Sequence, residues 1–159
     1  MEKAKPLSEG DEAPQFYFRG PDGQERSSSD LAGSPYLVYF YPRDNTPGCT
    51  LEACGFRDNA KELDALGLTI VGVSCDSWES HDKFRAKHDL PFALVADESH
   101  EVVKAFGTWG EKTFMGRKFE GIHRMSFLVG NDGKILKAYH KVKAKAHPDE
   151  VLVDAKELL

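Results

Sequence analysis

Residues 36–54 of the chain read YLVYFYPRDNTPGCTLEAC. The first six residues form a continuous apolar run that ends at Pro42, which is typical of a strand buried in the centre of a sheet. A turn-rich segment follows. From Cys49 to Leu66 apolar residues then recur every three or four positions, which predicts a helix that ends at Gly67. A buried strand that leads directly into a helix is the beginning of an α/β unit.

The alternation of strand and helix continues to the end of the chain. Strands are predicted at 68–74, 92–96, 122–129 and 135–139, and helices at 77–88, 101–106 and 148–159. Asp22-Gly23 predicts a first hairpin, and Asn131-Asp132-Gly133 predicts that the last strand pairs back on the one before it. Together these elements predict a single α/β domain over residues 1–159, with a mostly parallel central sheet, an antiparallel edge and helices on both faces.

Composition excludes several classes of protein. Of the 159 residues, 40% are hydrophobic and 30% charged, as in an ordinary globular domain. No mostly apolar stretch exceeds about eight residues, against the roughly 20 that span a bilayer, and residues 1–6 lack the apolar core of a signal peptide. A net charge of −5 argues against a general nucleic-acid binder. Three cysteines do not make a disulfide-stapled secreted scaffold, so we expect free thiols and a cytoplasmic location.

Cys49 stands at the start of the predicted helix, just after the loop that ends the buried strand. The first amides of a helix have no partner within it, and the helix dipole favours negative charge, so a thiolate is stabilised there. Strand ends are also where α/β sheets place their sites. Cys49 is therefore a candidate nucleophile, although a lone cysteine in such a position is more often a small packed residue.

Cys54 strengthens that hypothesis, because two cysteines within six residues of a chain that has only three indicate a redox pair. On an intact helix, residues five apart have Cα atoms roughly 8–9 Å apart. A disulfide usually needs less than about 7 Å. Cys49 and Cys54 can therefore join only if the first turns of the helix unwind.

The loop and helix start resemble the active site of the peroxiredoxins. Pro42, Thr46 and Cys49 match the Pro-x-x-x-Thr-x-x-Cys signature of that family, and the run 41–50 together with Cys54 is similar to its peroxiredoxin Q branch, also called bacterioferritin comigratory protein. The resemblance continues through 109–112, 121–124, 126–128 and 141–143. It implies a thioredoxin-like fold and a thiol-dependent peroxidase for hydrogen peroxide and organic hydroperoxides, with no metal or organic cofactor.

The resemblance also implies a role for each site residue. Cys49 would attack the peroxide and become a sulfenic acid, and Arg124 would be a permanent cation that favours the thiolate and the developing oxyanion. Thr46 would accept a hydrogen bond from the peroxide and donate one to the thiolate. The amides of Gly48 and Cys49 would donate to the substrate, and Pro42 would shield the thiolate from water.

Recycling follows from the same resemblance. Cys54 is similar to the resolving cysteine, which would condense with the sulfenic acid to an intramolecular Cys49–Cys54 disulfide. Cys75 is the rival resolver, and is otherwise interpreted as a small half-buried residue. The family implies thioredoxin or a similar dithiol as the reductant, and members of the branch are often monomeric.

Two other functions stay open on the sequence alone. A thiol–disulfide exchanger could use Cys49 and Cys54, although the four residues between them exceed the two of a thioredoxin-type pair. A non-enzymatic redox sensor could alter a partner surface when Cys49 is oxidised. Neither accounts for Thr46 and Arg124 together. The six histidines show no metal-ligand spacing, so no metal site is expected, and the aromatic residues 109, 114 and 119 are expected to pack a loop.

Overall fold

The computed structural model of the chain describes residues 1–159. Its strands are β1 (Tyr17–Arg19), β2 (Glu25–Ser27), β3 (Tyr36–Phe40), β4 (Thr69–Ser74), β5 (Ala93–Ala96), β6 (Trp109–Phe114), β7 (Arg117–Ile122), β8 (Met125–Val129) and β9 (Ile135–Tyr139). Its helices are α1 (Pro47–Asp58), α2 (Ala60–Ala65), α3 (Trp78–His88), α4 (Glu101–Ala105) and α5 (His147–Leu158). A short 3-10 helix covers Ser28–Leu31.

Seven strands form one mixed sheet in the order β2-β1-β5-β4-β3-β8-β9. The central strands β5, β4 and β3 are parallel to one another, and antiparallel strands continue the sheet on both sides. The predicted parallel centre with an antiparallel edge is therefore confirmed. Both predicted hairpins form: β1 pairs with β2, and β9 pairs back on β8.

The strand that opens the predicted unit, β3, lies near the middle of this sheet and is buried along its whole length. Its side chains alternate between the two faces, as the pleat of a strand requires. Leu37 and Tyr39 face a hydrophobic cluster shared with α1, α2, α3 and α5, and Cys49 belongs to this cluster. Val38 and Phe40 face a second cluster, on the side of α4. Helices thus cover both faces, as predicted.

Two boundaries differ from the sequence prediction. The helix expected over 49–66 begins at Pro47 and divides at Asn59, whose backbone leaves the helical conformation (φ −93°, ψ 3°). The Asn59 side chain donates a hydrogen bond to Asp149 Oδ1 of α5 at 2.9 Å, so packing against that helix accompanies the break. The strand expected over 122–129 is likewise interrupted, because β7 ends at Ile122 and β8 begins at Met125.

The largest correction concerns residues 109–121, where a loop was expected. They form a separate antiparallel hairpin of β6 and β7. Its turn consists of Met115 (φ 51°) and Gly116 (φ 79°), the positive angles of a tight two-residue hairpin turn. No helix of the structure combines the length and the apolar character needed to cross a membrane.

Candidate active site

The loop between β3 and α1 turns sharply before the helix begins. Asn45 adopts a positive φ of 61°, and Thr46 is the extended residue that precedes α1. Thr46 Oγ1 donates to the carbonyl oxygen of Arg43 at 2.8 Å. A hydroxyl has one proton to give, so the donation expected from Thr46 to the thiolate is not made here. Its lone pairs remain able to accept a hydrogen bond.

Cys49 occupies the first turn of α1, as predicted, and is only 1% exposed. Pro47 begins the helix, a position where the missing N–H of proline costs little. The first hydrogen bond of this turn runs from Thr50 N to Thr46 O at 2.9 Å. The amides of Gly48 and Cys49 precede it and have no partner within the helix. The thiol therefore lies among backbone donors at the positive end of a helix dipole.

Arg124 approaches this helix start from the connection between β7 and β8. Its Nη2 lies 3.2 Å from Cys49 Sγ, and its Nη1 donates to Glu52 Oε1 at 2.7 Å. Burial disfavours the charge of Arg124, but Glu52 and Cys49 outweigh it and raise the pKa of the guanidinium. Gly48 makes room for this arrangement, because a Cβ at that position would lie 3.2 Å from Arg124 Nη2.

The β6–β7 hairpin holds the segment that carries Arg124. His123 Nε2 donates to the carbonyl of Glu111 at 3.0 Å, and Lys112 Nζ donates to the carbonyl of Ile122 at 2.8 Å. Lys112 is half-buried, and its pKa is lowered by burial and by the nearby Arg124. A region expected to be a loop thus fixes the position of the site's cation.

Glu52 is a site residue that the sequence reasoning missed. It is 0% exposed, one helical turn after Cys49, and its Oε2 has no hydrogen-bond partner. Burial raises the pKa of Glu52 to about 7, although Arg124 opposes this. The spacing of three residues was the available signal, because it places Glu52 and Cys49 on the same side of a helix.

The other predicted residues lie as follows. Cys54 is half-buried on α1, so it and Cys49 are five residues apart on one continuous helix. Cys75 follows β4 and packs against the cluster on the opposite face of the sheet from Cys49. Burial, with Asp97 and Asp76, raises the pKa of the Cys75 thiol to about 12. Pro42 is exposed at the beginning of the loop.

Comparison with known proteins agrees with this geometry. Residues 9–138 match the model of the AhpC/TSA family. Peroxiredoxin Bcp of Escherichia coli (strain K12) is 47% identical over 152 residues, which cover 96% of this chain and 97% of that protein. Peroxiredoxin Bcp of Bacillus subtilis (strain 168) is 42% identical over 149 residues, 94% and 95% of the two chains. A solved structure of Xanthomonas campestris peroxiredoxin Q has a TM-score of 0.83 at 38% identity over 90% of each chain.

The chain belongs to the AhpC/TSA family and has the thioredoxin-like fold of the peroxiredoxins. Within the peroxiredoxins it belongs to the branch of peroxiredoxin Q and Bcp. It is a thiol-dependent peroxidase, an oxidoreductase that reduces peroxides with electrons from thiols. The predictions of family, fold and enzyme class are confirmed, and the comparisons do not favour the exchanger or the sensor.

Proposed function

We propose that Cys49 is the nucleophile that reduces hydrogen peroxide and organic hydroperoxides. The observation that carries this proposal is the 3.2 Å contact between Arg124 Nη2 and Cys49 Sγ at the start of α1. The cation and the helix dipole both favour a thiolate. Its sulfur attacks one peroxide oxygen, so that an S–O bond forms as the O–O bond breaks. The other oxygen takes a proton and leaves as water or an alcohol, and Cys49 becomes a sulfenic acid.

Fixed donors around the reacting oxygens would stabilise the charge that develops on the leaving oxygen. Arg124 and the amides of Gly48 and Cys49 are the donors proposed for this role. Thr46 would accept the peroxide O–H, which its free lone pairs allow. Pro42 would shield the thiolate at the mouth of the loop. The reaction as proposed requires neither a metal nor an organic cofactor.

Cys54 is the proposed resolving cysteine. Its sulfur would attack the Cys49 sulfenic sulfur, release water and form a disulfide. Closing the bond requires that the first turns of α1 unwind. The composition of α1 supports this, because Gly48 and Thr50 are weak helix formers and no side chain caps the helix start. Cys75, on the opposite face of the sheet, is a poor competitor.

The reductant proposed to reopen the disulfide is thioredoxin or a similar dithiol, which the class of enzyme supports. We further propose that the enzyme works as a monomer in the cytoplasm, where the cysteines it needs stay reduced.

Residues 1–159 are proposed to act as one domain. The seven-stranded sheet supports this, because its strands come from the beginning, middle and later part of the chain between Tyr17 and Tyr139.

The test is intact-mass analysis with peptide mapping after reduced protein receives one equivalent of hydrogen peroxide. We expect a Cys49–Cys54 disulfide in the wild type. Cys49→Ser should abolish turnover, and Cys54→Ser should keep the first reduction but stall recycling with a sulfenic acid on Cys49. Cys75→Ser is the matched control and should turn over normally. Full activity in Cys49→Ser would refute the nucleophile, and a disulfide to Cys75 would refute the resolver.

A further inference from the structure

A buried polar cluster that the peroxide chemistry does not use lies behind the loop that precedes Cys49. Asp44 is 6% exposed and His81, on α3, is 0% exposed. Three groups surround the Asp44 carboxylate: Tyr41 Oη at 2.6 Å, Ser80 Oγ at 2.8 Å and His81 Nδ1 at 2.7 Å. A buried carboxylate with this many hydrogen-bond partners is held in one position.

The contacts of His81 fix where its protons lie. Its Nε2 is 2.8 Å from the carbonyl oxygen of Val95, which can only accept, so Nε2 carries a proton. A further proton must lie between Nδ1 and Asp44 Oδ2, since two bare acceptors would repel at 2.7 Å. The possible ligand atoms of Asp44, Asp76 and His81 come within 4.8 Å of one another. Because both ring nitrogens are already bonded, the cluster is a hydrogen-bond network and not a metal site.

The same network holds the backbone of the loop. The amide of Asp44 donates to Asp76 Oδ2 at 2.8 Å, and Asp76 Oδ2 also accepts from Ser74 Oγ at 2.7 Å. Ser74 ends β4, and Val95 lies on β5. The loop is thus tied to the ends of the central strands and to α3, without any contribution from α1.

In the sequence, Asp44 lies between Arg43 and Thr46, and the hydrogen bond between these two residues orients the Thr46 hydroxyl. Thr46 Oγ1 donates to Arg43 O, the carbonyl that immediately precedes Asp44 in the chain. With the Asp44 side chain held inward, and Asn45 turned by its positive φ, that carbonyl faces Thr46. Because this hydrogen bond fixes the hydroxyl proton, the lone pairs of Thr46 Oγ1 point in one direction.

We propose that Asp44 and His81 are positioning residues for the peroxide step, which act by fixing the Arg43 carbonyl and, through it, the Thr46 hydroxyl. This inference rests on the proposed role of Thr46 as the acceptor for the peroxide O–H. The pair acts on peroxide alignment and not on the thiolate, because Arg124 and the helix start are outside the network.

The experiment compares two rates on reduced enzyme. One is the second-order reaction of Cys49 with hydrogen peroxide, and the other is its alkylation by iodoacetamide, which does not need Thr46. We expect His81→Gln and Asp44→Asn to slow the peroxide reaction about tenfold to a hundredfold, as misalignment does. Alkylation should stay within about twofold, because geometry and not thiolate formation is affected. His88→Gln, the same change on the same helix, should alter neither rate.

A double-mutant cycle with Thr46→Val identifies the route. If His81 acts through Thr46, His81→Gln should cost little in the Thr46→Val background. Tyr41→Phe removes only one hydrogen bond of the network and should give a smaller fall of the same kind, even if the other variants fold poorly. Three results would overturn the inference. These are additive losses of the peroxide rate in the double-mutant cycle, an equal fall in the peroxide and alkylation rates, and an unchanged peroxide rate in both His81→Gln and Tyr41→Phe. A Thr46→Val variant with an unchanged peroxide rate would also overturn the inference, but it would leave Cys49 as the nucleophile. Full activity in Cys49→Ser would instead refute the proposed function itself.

Discussion

Arg124 divides its guanidinium between two acidic groups, since Nη2 contacts the Cys49 sulfur and Nη1 contacts Glu52. When Glu52 is protonated, the charge of Arg124 is left largely to the sulfur. When Glu52 is ionised, the carboxylate competes for the same cation. Because burial raises the pKa of Glu52 to about 7, this competition changes close to neutral pH.

Glu52→Gln should therefore change how stability depends on pH. The folded-state pKa of Glu52, about 7, exceeds its ordinary value of 4.5. The folded protein binds the Glu52 proton more tightly than the unfolded chain does. The stabilisation that this proton gives the folded state is therefore complete below about pH 4.5 and is lost as pH rises through 7. In urea titrations from about pH 5 to 8, the free energy of unfolding of the variant relative to the wild type should rise by up to about 3 kcal/mol.

Glu79→Gln, on the exposed surface of α3, is the control for that titration. It should leave the pH dependence of the unfolding free energy as it is in the wild type. A Glu52→Gln variant whose stability runs parallel to the wild type across this range would show that Glu52 is ionised throughout.

At the scale of the element, the two ends of α1 are held differently. At Gly55 a Cβ would lie 2.6 Å from Pro148 Cγ, so α1 approaches α5 more closely than any side chain would allow. The next residue, Phe56, is completely buried. The end with Cys49 has no comparable contact between helices. The unwinding proposed for disulfide formation is therefore expected to stop before Gly55.

Gly55→Ala tests this close contact. Alanine should stabilise an isolated helix by about 1 kcal/mol relative to glycine. Here we expect a net loss of about 1–3 kcal/mol in the free energy of unfolding, because the new methyl group forces the helices apart. Chemical denaturation measures it. In the Pro148→Ala background the loss should shrink or reverse, and a Gly55→Ala variant more stable than the wild type would contradict the packing argument.

The elements also differ in how well the sequence predicts them. The strands and helices with a clear period, such as β3 and α3, lie within a residue or two of their predicted bounds. The β6–β7 hairpin was missed because its turn places Met115 at a positive φ, which few residues other than glycine and asparagine adopt. Asn59 divides a continuous helical pattern because of a contact with α5, which no local pattern contains.

At the scale of the whole molecule, the same distinction applies to the site. The motif from Pro42 to Cys54 is local in sequence, and so could be recognised there. The partnership of Asp44 with His81 joins residues 37 apart, and that of Glu52 with Arg124 joins residues 72 apart. Such pairs depend on the order of strands in the sheet, so no local sequence pattern contains them.

The N-terminal segment is one such long-range support. Glu2 O accepts a hydrogen bond from the amide of Glu111 at 2.7 Å, and Leu7 N donates to Phe106 O at 3.1 Å. The carbonyl of Glu111 in turn accepts from His123, next to Arg124. Residues 2–7 therefore support β6, and β6 supports the segment that carries the site's cation.

Gly110→Ala should separate this segment from β6. A Cβ at Gly110 would collide with the backbone nitrogen of Ala4, a contact that only movement of the chain can relieve. We expect the free energy of unfolding to fall by about 1–3 kcal/mol and amide exchange over residues 2–7 to accelerate. Deletion of residues 1–5 supplies the control, because without Ala4 the same substitution should cost less than about 0.5 kcal/mol, as surface changes usually do. An equal cost in the full and the shortened chain would mean that Gly110 is required by the hairpin itself and not by its contact with the N-terminal segment.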